Sequence, residues 1–227
     1  MGWFAPPFYR NLFLEGLVVS VYKCPSNPHH GLLDIDRGAS VNEETAMKHD
    51  YAGISGVYPD PAGRGLGTCR HAGRGWICNN GLLPANEVRK IHQATDGTTN
   101  TIIAAEQSGV VAVDEGGQLV EYPIRANYAG GWAGTHDDRT VDEVWGGYLG
   151  QYTGLTTVQW ALNAPTAVIN SSDFCYMHNT ILNSFHPGVV QVLLADGSSR
   201  ALFDTIEMET LRRLCAADDG LPLDGEF

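Results

Sequence analysis

The sequence predicts an α+β fold that is mainly β: an antiparallel sheet with hairpins, long Gly-rich loops and one short C-terminal helix. Three observations predict it. Two Asp-Gly dipeptides, Asp96-Gly97 and Asp196-Gly197, lie between runs of apolar β-formers, and Asp-Gly favours a hairpin because both central residues tolerate positive φ. Glycine is abundant, at 27 of 227 residues, and with Pro, Asn and Asp it interrupts the apolar runs repeatedly. Late in the chain, Ile206, Leu211, Leu214 and Cys215 recur at helical spacing. The length suffices to bury a core, and 1–227 reads as a single β-rich domain.

Taken in order, Leu17 to Lys23 is rich in β-branched residues, a strand signal, and ends at Cys24-Pro25-Ser26-Asn27-Pro28, where regular structure must stop. Residues 29–49 read as a polar loop with one helical turn over 42–47. Asp50 to Tyr58 reads as a strand, and Pro59 to Gly75 as a long loop of the kind that carries function. Val88 to Thr95, Asp96-Gly97 and Thr98 to Glu106 read as a first hairpin. An aromatic, glycine-rich middle follows, holding Tyr128, Trp132, Trp145 and Tyr148. The second hairpin joins Val189–Ala195 to Ser198–Phe203. With Asp196-Gly197 as the two turn residues, Val192 pairs with Ala201 and Val190 with Phe203. Val190, Val192, Leu194, Ser199, Ala201 and Phe203 then share the core face. Asp204-Thr205 would cap a helix over 206–217, stopped by Asp218-Asp219-Gly220.

Charge excludes whole classes of partner. The formal net charge is −12, from 14 basic against 26 acidic residues, and the basic residues form no cluster, so no nucleic-acid surface is expected. No apolar run approaches the roughly 20 residues of a spanning helix, so no membrane insertion is expected of this sequence, and the N-terminus has no basic-then-apolar signal pattern. Five cysteines are present, an odd number. Cys69 and Cys78 bracket a Gly/Arg-rich loop and are the candidates for a local disulfide, while the lack of any Cys-x-x-Cys argues against zinc-ribbon or thioredoxin-type motifs.

Four blocks carry a resemblance. His186 stands ten residues before Asp196-Gly197. Upstream, in order, come Tyr22-Lys23-Cys24-Pro25-Ser26-Asn27-Pro28, then Asp50-Tyr51-Ala52-Gly53, then Asp96-Gly97-Thr98-Thr99-Asn100-Thr101-Ile102 running on to Glu106. Together these blocks resemble the His-x9-Asp-Gly family abundant in planctomycetes, prepilin-type-processing-associated proteins of unknown function, over residues 17–217. Members typically begin with a type IV pilin-like leader and a long apolar helix, neither of which stands in this sequence. The resemblance implies a pseudopilin-like soluble domain, exported and displayed at the cell envelope or outside the cell, with pilus-like assembly components as partners. Its motif residues here are His186, Asp196 and Gly197.

Three groups of residues in the sequence suggest chemistry. A His186–Asp196 dyad is opposed by geometry, since a straight strand between them separates the two by roughly 20 Å. Asp96, Thr98 and Asn100, with Glu106 beyond, place oxygen ligands in a spacing that starts like a calcium loop, and pseudopilins of related secretion systems often carry calcium, so calcium is the expected cofactor. Asp137, Asp138, Asp142 and Glu143 lie in sequence near Trp132, Trp145 and Tyr148. Paired carboxylates beside aromatic platforms are what a glycan hydrolase uses, and the aromatic rings alone would suit a carbohydrate-binding module. Gly-x-Ser-x-Gly, phosphate-loop and dinucleotide fingerprints are absent. The leading expectation is a non-catalytic, calcium-stabilised, pseudopilin-like module, with a glycosidase or a carbohydrate-binding module as the alternatives.

Overall fold

The structure, a computed structural model, describes residues 17–28, 47, 49–71, 76–108, 110–114, 116–123, 140–143, 154–164, 181–223 and 227. Nine strands and one α-helix are found among them: β1 (Tyr51–Val57), β2 (Cys69–His71), β3 (Trp76–Cys78), β4 (Ile102–Glu106), β5 (Val110–Asp114), β6 (Leu119–Pro123), β7 (Leu155–Val158), β8 (Val189–Leu194), β9 (Ser199–Phe203) and α1 (Met208–Cys215). Five of the strands form one sheet in the order β7-β1-β4-β8-β9. β2 pairs with β3 and β5 with β6 as separate two-stranded ribbons.

The sheet is mixed rather than antiparallel. β1 runs parallel to β7, Ile54 beside Thr156 and Val57 beside Val158, whereas β1–β4, β4–β8 and β8–β9 are antiparallel. Nearly a hundred residues separate β1 from β7, room enough for the long connection a parallel pair requires. The core gathers Ile54, Ile102, Val190, Val192, Leu194 and Leu202 from the sheet against Leu211, Leu214 and Cys215 of α1.

Several expectations are corrected. Leu17–Lys23 is not a strand but holds a 3-10 turn over Ser20–Tyr22, with Leu17, Val18, Val21 and Tyr22 exposed. β-branched residues favour strands only where a partner and a covered face exist, and here the Tyr22 and Lys23 N–H groups donate locally to Val19 and Ser20. The first Asp-Gly makes no hairpin either. It lies between 3-10 turns over Ile91–Gln93 and Thr98–Asn100. Asn100 Nδ2 and Thr101 Oγ1 donate back to the carbonyls of Asp96 and Gly97, 3.0 Å each, a local competition that favours turns over ladders. The partners of β4 are therefore distant strands. The Pro59–Gly75 loop in turn contributes β2.

The second hairpin forms, one residue out of the expected register. Val192 pairs with Arg200 and Val190 with Leu202. The Gly197 N–H donates to the Leu194 carbonyl at 3.0 Å, Leu194 N–H donates to Ser198 O at 2.8 Å, and Gly197 has φ +87°. The loop is thus Ala195-Asp196-Gly197, a three-residue turn with glycine in the left-handed position, not a two-residue turn. A slip of one residue reverses a strand's faces. Val190, Val192 and Leu194 are buried as expected, but on β9 the buried residue is Leu202, while Ser199, Ala201 and Phe203 are exposed. The helix begins two residues late: Ile206 N–H closes a turn onto Phe203 O, and the Glu207 side chain at the N-cap makes no capping bond.

Candidate functional site

One corner of the sheet collects the reactive side chains, and each is placed by local sequence. Cys24-Pro25-Ser26-Asn27 forms a turn closed by Asn27 N–H donating to Cys24 O at 3.0 Å, with Pro25 in the second position that proline's fixed φ suits. Asp50, at the start of β1, anchors that turn: its Oδ2 accepts the Cys24 N–H at 2.6 Å and its Oδ1 the Asn27 Nδ2 at 2.7 Å. Glu106 ends β4 and pairs with Tyr51 of β1. His186 opens the turn His186-Pro187-Gly188-Val189, closed by Val189 N–H onto His186 O at 3.4 Å, with Gly188 at φ +70°. Proline second and glycine third are what a turn with positive φ at its third residue asks for. Ser184 Oγ secures the turn, accepting the His186 N–H at 3.1 Å and donating to Val189 O at 2.6 Å.

At this corner His186 Nε2 lies 3.5 Å from Cys24 Sγ and 3.3 Å from Glu106 Oε1. Ser26 Oγ faces the other ring nitrogen, Nδ1, at 3.4 Å. The second oxygen of Glu106 accepts the Gln191 N–H at 2.8 Å. Cys24 and Glu106 are buried, each 1% exposed, whereas the His186 side chain is 32% exposed and forms the open side. Burial, reinforced by the hydrogen bond to Glu106, pushes the Cys24 thiol up from its ordinary value. The Tyr51 phenol is pushed up to about 12, by burial and then by its acidic neighbours Cys24, Glu106 and Asp50.

This is not a thiol–imidazole–acid relay. In such a relay the acid orients the imidazole from the nitrogen opposite the nucleophile, and the nucleophile's pKa is lowered. Here thiol and carboxylate face the same nitrogen, and the thiol is held neutral. Cys24, Glu106 and His186 instead each present one ligand atom, all within 4.8 Å of one another.

The residues singled out from sequence fall elsewhere or in other company. Asp196 does not meet His186: the six residues of β8 run between them, and the Asp196 carboxylate accepts Ser198 N–H at 2.8 Å and Ser198 Oγ at 2.7 Å, bonds that hold its carboxyl below the ordinary value. Gly197 serves the hairpin turn. The four oxygen donors expected for calcium are not assembled. The Asp96 carboxylate accepts the N–H groups of Asp219 and Gly220 at 2.7 and 2.9 Å, Thr98 and Asn100 sit in the following turn, and Glu106 stands at the far end of β4. At about 3.3 Å per residue that strand separates them by roughly 15 Å. Of the hydrolase candidates, Asp142 Oδ1 accepts from Arg70 at 3.2 Å and Glu143 Oε2 from Thr140 N–H at 2.8 Å. Asp137, Asp138, Trp132, Trp145 and Tyr148 lie outside the described residues. Cys69 and Cys78, directly opposite on β2 and β3, are joined by a disulfide with Cα atoms 4.1 Å apart.

Sequence reasoning named His186 and Glu106 but gave them other partners, and it gave Cys24 no role. A signal was present: the four blocks that carry the resemblance supply Cys24, Asp50 with Tyr51, Glu106 and His186 respectively.

Fold and site together define a β-rich module whose chemically distinctive corner is assembled from four separate segments. The chain belongs to the family described as "Protein of unknown function (DUF1559)", whose model matches residues 3–209. No curated protein and no solved structure matches it.

Proposed function

We propose that this chain is a non-catalytic, pseudopilin-like module of an exported protein, displayed at the cell envelope and engaged with components of a pilus-like assembly. The observation that carries this reading is the Cys69–Cys78 disulfide, because such bonds persist in oxidising compartments and are rare in the cytosol. Family membership supports it, since this family is often linked to a type IV pilin-like N-terminus. No helix among the described residues is long and apolar enough to cross a membrane.

The test is made on native cells. Free thiols are alkylated before lysis and reduction, and intact cells are treated with protease. The expected result is a Cys69/Cys78 peptide pair protected from the first alkylation, together with loss of the protein to external protease. Both cysteines alkylated at once, in a protein that resists protease until lysis, would overturn the reading.

A further inference from the structure

We propose that Cys24, Glu106 and His186 form a binding site for a divalent transition-metal ion of the zinc class. The inference stands on the geometry of these side chains and does not rest on the envelope reading.

Three arguments carry it. The first is distance. Zinc takes thiolate sulfur at about 2.3 Å and imidazole nitrogen or carboxylate oxygen at about 2.0–2.1 Å, in a tetrahedron. Atoms on the corners of such a tetrahedron stand about 3.6 Å apart for sulfur and nitrogen, and about 3.4 Å for nitrogen and oxygen. The corresponding separations here are 3.5 Å from Cys24 Sγ to His186 Nε2 and 3.3 Å from His186 Nε2 to Glu106 Oε1. The third edge closes as well, since Cys24 is hydrogen-bonded to the Glu106 side chain and all three ligand atoms lie within 4.8 Å of one another.

The second argument is charge. A thiolate and a carboxylate together cancel the two positive charges of the ion, and a neutral imidazole adds a nitrogen donor without adding charge. On binding, the Cys24 proton passes to solvent. The ligand set is also selective: sulfur and imidazole suit zinc-class ions, whereas calcium and magnesium prefer oxygen ligands alone.

The third argument is support. Metal-binding histidines are oriented through the ring nitrogen that does not bind the metal, and ligand carboxylates are themselves hydrogen-bonded. Ser26 Oγ stands 3.4 Å from His186 Nδ1, leaving Nε2 for the ion. The Gln191 N–H holds Glu106 Oε2 at 2.8 Å, leaving Oε1. Asp50 fixes the Cys24 backbone. Three protein ligands leave a fourth position for water on the side where His186 is partly exposed.

The experiment uses the full chain with its disulfide intact, stripped of metal by a chelator and then titrated with Zn2+ or Co2+. Expected are one ion per chain by equilibrium dialysis and, with Co2+, the ultraviolet charge-transfer absorption of a thiolate ligand. Cys24→Ser should abolish that absorption. Glu106→Gln and His186→Gln should each weaken Zn2+ binding by about 10–100-fold or more, the range seen even for supporting partners. Absence of the absorption in the wild-type chain, or its persistence in Cys24→Ser, would overturn the proposal. Because Cys24 is buried and its variant can misfold, His186→Gln provides an independent test: its ring is partly exposed, and unchanged Zn2+ affinity in that folded variant would overturn the site equally.

Discussion

Asp50 is buried at the start of β1, and its two carboxylate oxygens hold two donors of the 24–27 turn, the Cys24 N–H and the Asn27 amide. Removing the carboxylate leaves both donors buried without that acceptor, at about 1–3 kcal/mol each. We therefore expect Asp50→Ala to lower unfolding free energy by about 2–4 kcal/mol in urea titrations, and to displace the Cys24 turn from His186. Beside it, His49 is 5% exposed, and burial brings its pKa down from 6.5 to about 4. The unfolded chain binds the His49 proton more readily than the folded chain between these values, so stability is full above pH 6.5 and declines as the pH falls towards about 4. The decline amounts to about 3 kcal/mol, and a stability-versus-pH series on His49→Gln should lack it. At this scale the sequence displayed every residue of the candidate site but not their company. His186 was legible as a motif residue and Glu106 as a carboxylate at a block's end, yet Cys24 contacts His186 across 162 positions, beyond any spacing argument.

Among the elements, the 60–68 loop is organised by one carboxylate. Asp60 accepts from Arg64 Nε at 2.7 Å and Nη2 at 3.1 Å, and from Thr68 Oγ1 at 3.1 Å. Burial alone would raise its pKa, but the hydrogen bonds and charge of Arg64, with help from Asn80 and the Ala62 N–H, outweigh it and hold the carboxyl below its ordinary value. A depressed carboxyl contributes stability above its unfolded value of 3.8 and loses it as pH falls through the folded one. Asp60→Asn should accordingly be less stable than the wild type at neutral pH, with the difference closing below about pH 4, a window distinct from that of His49. Helix α1 depends on its apolar face: Leu211 and Leu214 are fully buried against the sheet. Leu214→Ala should cost about 2–5 kcal/mol by chemical denaturation. The face of α1 was legible from periodicity, while its first residue was not, because a turn onto Phe203 took the place of an Asp204 cap. The hairpin register was likewise lost to a single turn residue, since Asp-Gly is compatible with either loop length and the choice between them reverses the faces of β9.

Across the whole molecule, the described segments are tied together at several points. Asp218, near the C-terminus, accepts from Arg64 at 2.8 Å and Arg89 at 3.4 Å. The Asp96 carboxylate binds the backbone of Asp219 and Gly220, and the Cys69–Cys78 bond closes the β2–β3 ribbon. Constraining a loop with sequence separation 9 restricts the unfolded chain by about 2–3 kcal/mol on the entropy model. A Cys69→Ser/Cys78→Ser double variant should lose about that much, measured by denaturation under non-reducing conditions. Metal ions provide a comparison at the same scale. A ligand that binds only the folded state raises the melting temperature with its concentration. Zn2+ should raise the midpoint of the chelator-treated protein, and Ca2+ should leave it unchanged, because the Asp96 carboxylate is occupied by backbone N–H groups and lies at the other end of β4 from Glu106.

The sequence by itself determined the β-rich character, the strand at 51–57, the existence of the second hairpin, the apolar face of the C-terminal helix and the excess of acidic over basic residues. Each follows from information carried within a few residues: alternation, turn chemistry, helical spacing, or local charge. Tertiary structure alone decided that β1 lies parallel to β7 and that β4 stands between β1 and β8. Those pairings depend on which distant strands complete one another's hydrogen bonds and apolar faces, and no local pattern encodes that choice. The candidate site follows from them: β4 set against β8 brings Glu106 to His186, and Asp50 at the head of β1 carries the Cys24 turn onto both.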